Sequence, residues 1–270
     1  MMQGNGLRDA YSATLDRIKA LGGSRSRLGM DTLMWLSHSK RSLDTNELCH
    51  ALGVEIGSAD LDPANIPTIE TLLGCSLGLV IVEAYSHTLR LVHYTLQEYL
   101  SENTALFPNP HAMIAEVCLT YLNFQCVRGL SPTLSRAPPE TPLLGYASCH
   151  WGTHARRGIT ESVSTLALKL LDGYDKHVSS GILLSHSSYS WDIELPRKHP
   201  TGLTGLHCAT YLGIVEVVVL ALGSKKWDIN AIDVAGNTEI SWAVRKGHGA
   251  VVRILLQQAG LAPNTADKDG

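Results

Sequence analysis

Two stretches near the C-terminal end of the chain are copies of one another at an offset of 34 residues. Gly202, Gly236 and Gly270 stand in that relation, as do Thr204 and Thr238, Ala209 and Ala243, Gly213 and Gly247, Asn230 and Asn264, and Asp233 and Asp267. No other feature constrains the fold as much, because so short a unit cannot bury its own apolar face and must stack on a neighbour. Both copies have the same layout. Thr204 and Thr238 precede short helices whose first free amides a threonine hydroxyl can cap, and Gly213 and Gly247 end them. A second helix follows at residues 214–222 and 250–258, where Val217, Val218 and Leu222 correspond to Val251, Val252 and Leu256 on one apolar face. Residues 228–237 are then a hairpin-like loop.

The runs Thr-Gly-Leu-His-Cys-Ala at 204–209 and Thr-Glu-Ile-Ser-Trp-Ala at 238–243 resemble the ankyrin repeat, a turn followed by two antiparallel helices. Gly205 and Glu239 stand where that family usually has proline, Ser241 where it has histidine, and His199 where the first turn has aspartate. The resemblance implies recognition of a protein partner through the loops and first helices. Lys226, Trp227, Val234, Asn237, Trp242 and Arg245 are the candidate contacts, since aromatic and basic groups dominate protein interfaces. Trp242 has an equal claim to fill the space between repeats. Asn264, Asp267 and Gly270 reproduce the loop that opens a further repeat. With its helices missing, Val251, Ile254 and Leu255 are expected to lie uncovered and to favour self-association.

The N-terminal hundred residues carry two periodicities. Residues 7–21 and 31–40 have the spacing of amphipathic helices, Asp44 and Glu47 form a capping pair for a third, and Pro67 opens a fourth that ends near Gly74. Alternation then replaces the helical period at residues 79–82 and 89–93, on either side of a turn at 84–87, which predicts a β-hairpin. A further helix starts at residues 95–100. Helices followed by a two-stranded wing make a winged-helix domain. Its charge argues against DNA: residues 28–100 hold three basic groups (Lys40, Arg41 and Arg90) against nine acidic ones, a net of −6 that repels phosphate.

Trp35-Leu36, Arg41-Ser-Leu, Glu47-Leu, Ala51-Leu52, Cys75-Ser-Leu-Gly-Leu-Val and above all Arg90-Leu-Val-His-Tyr-Thr-Leu-Gln-Glu-Tyr-Leu100 resemble the winged-helix module that follows the NACHT ATPase in fungal NACHT–ankyrin proteins. This is the winged helix of the GPI inositol-deacylase type. Phe107-Pro-Asn-Pro-His111, Cys118-Leu-Thr-Tyr-Leu122, and Tyr146-Ala147 with His150, Trp151 and His154 are similar to the helical connector of those proteins. The resemblance is loosest at residues 132–142. It implies a fragment or shortened relative of an NLR-like receptor, with a NACHT ATPase domain as a second partner.

Chemistry is expected to be absent. Nucleotide binding of the NACHT kind needs a loop ending in Gly-Lys-Ser/Thr, and the glycine-rich stretch 22–29 has neither the lysine nor the threonine; its composition predicts a flexible inter-helix loop. A serine hydrolase needs Gly-x-Ser-x-Gly at an elbow, which the sequence lacks, and the serines around His186 fall in a stretch that reads as polar loop. Cys149, His150 and His154 have metal-like spacing but no fourth ligand. They and His93, a core histidine expected to donate a hydrogen bond, are assigned to packing. No catalytic, cofactor or metal residue is therefore assigned.

Six cysteines without a CxxC pair are expected to be buried free thiols. The apolar runs fall well short of the roughly 20 residues a membrane span needs, and residues 1–9 lack a signal-peptide pattern, so the expected location is the cytoplasm or nucleus. With 44% hydrophobic residues but only two phenylalanines, the core must be mostly aliphatic. The chain is expected to be mainly α: a winged-helix domain with a small β-hairpin at 1–103, an all-helical connector at 104–195, and an ankyrin stack at 196–270. The function that follows is non-enzymatic protein recognition and signal relay. The alternatives are a free-standing ankyrin adaptor with a relic winged helix and, remotely, a hydrolase.

Overall fold

The computed structural model of the chain describes residues 3–134, 137–187 and 201–262. Two compact units emerge, one formed by Met1–Glu55 with Leu61–Pro110, the other by Ile56–Asp60 with His111–Gly270.

The first unit is a helical cluster with a small sheet. Its elements are α1 (Gln3–Ala20), α2 (Gly23–His38), β1 (Leu43–Asp44), α3 (Thr45–Gly53), α4 (Ile69–Cys75), β2 (Val80–Val82), β3 (Thr88–Leu91) and α5 (Tyr94–Glu102). Helix α2 is the centre, packing on α1, α3, α4, β3 and α5, and buries Leu33, Met34 and Trp35. Contrary to the expected loop, residues 23–29 are the first turns of α2. The break from α1 is confined to Leu21 and Gly22, and the φ of 70° at Gly22 and 52° at Gly23, where α2 starts, suit glycine. Gly29 belongs to the helix because α2 crosses α4 there: a Cβ would stand 2.5 Å from the Cys75 carbonyl oxygen.

Asp44 and Glu47 close the expected capping box, the Glu47 amide donating to Asp44 Oδ1 at 2.8 Å and the Asp44 amide to Glu47 Oε2 at 3.0 Å. The hairpin of β2 and β3 gains a third strand that the sequence did not announce. The antiparallel order is β1-β3-β2, with Leu43 opposite Leu89 and Ile81 opposite Arg90. His93 is corrected from a core donor to an exposed helix cap, since its Nδ1 accepts the Thr95 amide at 3.3 Å.

The second unit begins with α6 (Pro110–Leu122), α7 (Gln125–Arg128), α8 (Leu144–Ala155), α9 (Glu161–Leu171) and α10 (Val178–Ser187). They enclose the fully buried rings of Tyr121, Phe124, Tyr146, Trp151 and Tyr174. Residues 178–187 are helical where the sequence suggested polar loop, and Ser185 donates its hydroxyl to the Gly181 carbonyl within that helix. The same unit continues into α11 (Gly205–Leu212), α12 (Val215–Ser224), α13 (Glu239–Arg245) and α14 (Gly249–Leu256). Positions 34 residues apart have equal roles: Thr204 and Thr238 cap α11 and α13, Gly202 and Gly236 have φ of 66° and 83°, and Gly213 and Gly247 have 69° and 73°.

Within the stack the inward positions of the second helices are Val217, Val218 and Ala221, then Val251 and Leu255. Leu256, expected on the apolar face, is instead 54% exposed. The expected bare edge is corrected too: Val251 and Leu255 are buried and Ile254 half-buried, because α14 packs back onto α12 and α13. Asn264, Asp267 and Gly270, like His199, lie outside the described residues. Among the described residues no helix is long and apolar enough to cross a membrane.

The cysteines are all free, with Cys49, Cys75, Cys118 and Cys208 buried as expected; Cys126 is exposed and Cys149 half-buried. Burial pushes the Cys208 thiol up to about 12.

Candidate functional site

The loop at 228–237 is fastened by one carboxylate. Asp233 is 5% exposed, and its Oδ1 accepts the amides of Ala235 at 2.8 Å and Asn237 at 2.9 Å. Its backbone amide donates to the Asn237 carbonyl at 3.0 Å. Successive loops are then laced together: the Val234 amide donates to the Thr201 carbonyl at 3.2 Å, and Asn230 donates to the Gly260 carbonyl while accepting the Ala262 amide.

On this frame stands a group of rings and cations. The Trp242 indole N–H donates to Asp233 Oδ2 at 2.9 Å, and its ring meets Tyr211 edge-on with centroids 5.2 Å apart. Lys246 Nζ lies 4.4 Å from the Tyr211 ring centroid. Trp242 and Tyr211 are half-buried, so each is anchored on one side and open on the other, while Val234 and Arg245 are exposed. A fixed, partly desolvated aromatic costs little entropy when a partner covers it.

The candidate contacts therefore fall into three groups. Trp242, Val234 and Arg245 lie on or beside this cluster. Lys226 is exposed and pairs with Asp172 at 2.6 Å, and Trp227 is half-buried, its ring edge covering Gly205 at the start of α11. Asn237 is corrected: it is 3% exposed, and its side-chain amide donates to both Asp233 oxygens, so it fastens the loop and faces no partner. Tyr211 and Lys246 were missed. Tyr211 sits 34 residues before Arg245, and that offset between two surface residues was the available signal.

Trp242 is half-buried, its ring packed against Tyr211 of the neighbouring repeat. Trp242→Phe keeps the ring but leaves Asp233 one donor short, and bonds to charged groups contribute about 1.5–3 kcal/mol. Urea unfolding followed by circular dichroism should show a loss of about 1–2 kcal/mol. An unchanged midpoint would mean that the indole bond adds nothing.

His207 shows how the first repeat manages a buried polar group. It is fully buried; its Nδ1 accepts the Thr204 amide at 3.2 Å, and Nε2–H donates to the Asn237 carbonyl at 3.2 Å. Burial lowers its pKa from the ordinary histidine value. Glu239 Oε1 lies 3.5 Å from Nδ1, but that nitrogen is already an acceptor. The contact is between two neutral groups.

Of Cys149, His150 and His154, the last is the most deeply placed. His154 is fully buried, with Nε2 on the Tyr146 hydroxyl and Nδ1 on His111 Nδ1, both at 2.9 Å. Both ring nitrogens are thereby engaged in packing the connector.

Residues 16–108 match the family model for the winged helix domain of GPI inositol-deacylase, and residues 235–268 match that of the ankyrin repeat. No curated protein and no solved structure matches the chain. The chain is mainly helical, with a winged helix domain near its N-terminus and an ankyrin repeat near its C-terminus.

Proposed function

We propose that this chain is the recognition and relay part of an NLR-like receptor of the fungal NACHT–ankyrin kind, acting in the cytoplasm or nucleus and without enzymatic activity of its own. The ankyrin surface around Tyr211, Trp242, Arg245 and Val234 binds a protein partner. The winged helix packs against a nucleotide-switching NACHT domain, and the connector joins the two. The observation that carries this reading is the pairing, in one chain, of a winged helix of the deacylase type with an ankyrin repeat. Thiol chemistry is disfavoured at Cys49, Cys118 and Cys208 because burial pushes them up from the ordinary thiol value.

The test has two parts. Transcript sequencing should reveal an upstream Gly-Lys-Ser/Thr loop in the same reading frame. Affinity capture with the whole chain should yield a partner whose binding drops at least about tenfold in Tyr211→Ala and Arg245→Glu, since anchor residues commonly contribute 2 kcal/mol or more. A reading frame without that loop would favour the free-standing adaptor. Capture indifferent to both substitutions would place recognition elsewhere.

Nucleotide should not bind to this chain alone. Residues 23–29, the nearest thing to a phosphate loop, are helical and lack the lysine. Calorimetry with ATP and GTP should show no heat of binding, and micromolar affinity would overturn the assignment.

A further inference from the structure

We propose that a groove in the winged helix domain, independent of the ankyrin surface, takes a short acidic and partly apolar segment of another protein. Residues 28–100 are acidic on balance, yet the three basic residues among them, Lys40, Arg41 and Arg90, all line this one groove of about 450 Å³. None of the nine acidic residues of the same stretch lines it. Within residues 28–100 charge is therefore segregated, with the groove opposite in sign to the rest of that stretch.

The walls are the C-terminal end of α2, strands β1 and β3, and the first turns of α5. The two helix ends that meet there have opposite dipoles and offset each other, so the side chains set the sign. Arg41 is held in place by a forked pair with Glu47, whose side chain is only 8% exposed and is itself locked in the α3 capping box. That carboxylate offsets one charge of the three, while no carboxylate lines the groove itself.

The lining decides what kind of anion fits. Leu36 and Leu91 are half-buried and Tyr94 is 69% exposed, so apolar surface alternates with the cations. A volume near 450 Å³ lies in the range of sites for ligands far larger than one oxyanion. A nucleic-acid duplex would meet the nine acidic groups that residues 28–100 carry outside the groove. Carboxylates interleaved with aliphatic side chains satisfy both the charge and the apolar walls, as acidic motifs do on arginine clusters elsewhere.

The test uses the full chain and a fluorescein-labelled heptapeptide of alternating glutamate and leucine, followed by anisotropy. Binding should weaken with added salt. It should fall at least about tenfold when glutamine or lysine replaces glutamate in the peptide, and likewise in Arg90→Glu and Lys40→Glu. Lys19→Glu, an equal charge change on α1, should leave it unchanged. Arg90 is exposed, and Arg90→Gln with circular dichroism separates lost charge from lost fold. Equal affinity for the glutamine peptide, indifference to Arg90→Glu and Arg90→Gln, or displacement by equimolar inorganic phosphate or ATP would overturn the proposal, the last by making the groove a small-anion site.

Discussion

Replacing Glu239 with glutamine should flatten the alkaline limb of the stability profile. Glu239 is the first residue of α13 and is fully buried. Burial, reinforced by Asp228 and Asp233, pushes its carboxyl from 4.5 up to about 8. The folded chain therefore keeps a proton that the unfolded chain has released. Its contribution is fully present below pH 4.5 and is lost as pH rises towards 8, at about 1.4 kcal/mol per pH unit.

Two buried histidines act in the opposite direction at lower pH. Burial lowers His207, and it brings His177 down to about 4, so both favour unfolding as pH falls below 6.5. The clean window for Glu239 thus lies between 6.5 and about 8. Urea midpoints there should show the parent losing about 2 kcal/mol while Glu239→Gln loses none of it, and the variant should be more stable at pH 8 by on the order of 3 kcal/mol. Glu239→Met, with no amide to bury, should do at least as well. Parallel profiles for parent and variants would show that the carboxylate reaches water.

The largest loss is expected at Gly205, the equivalent position one repeat earlier. A Cβ there would stand 2.4 Å from the Leu171 carbonyl oxygen, 2.8 Å from Leu171 Cβ and 2.9 Å from the Trp227 ring. The first obstacle is backbone at the end of α9, which cannot swing aside as a side chain does. Alanine in a helix normally gains up to about 1 kcal/mol over glycine, so the sign is diagnostic. Gly205→Ala should cost about 3 kcal/mol, the upper range for overpacking. Gly223→Ala on α12, where nothing lies within 4 Å, should be neutral or stabilising. Equal thermal midpoints for the parent and Gly205→Ala would mean that α9 can move away. The same carbonyl explains why the proline of the ankyrin pattern is missing here, since its ring would occupy that space.

What could be read in advance was whatever leaves a local chemical signature. The 34-residue offset was legible because the left-handed turns at Gly202, Gly213, Gly236 and Gly247 need glycine, and the Asp44–Glu47 box because both partners lie within one helical turn. Strand β1 was not legible: two residues have no period, and the strand exists only because β3 offers an edge. The start of α2 was hidden because its early turns contain serine, arginine and glycine without apolar spacing. Asn237 and His93 were misplaced for one reason. Polarity does not say whether a side chain faces solvent or a backbone group that needs a partner.

The contacts of α8 and α9 with the first repeat have a mechanical meaning. Gly205 lets the end of α9 approach to backbone contact, and on α8 Gly152 leaves just enough room for the Leu212 side chain. Lys226 and Asp172 add a strut between the same layers. Torque applied where the rings of Tyr211 and Trp242 are gripped would pass to α8 and α9 with little slack. The two glycines are thus the fulcrum of a lever whose long arm carries the Tyr211 and Trp242 rings.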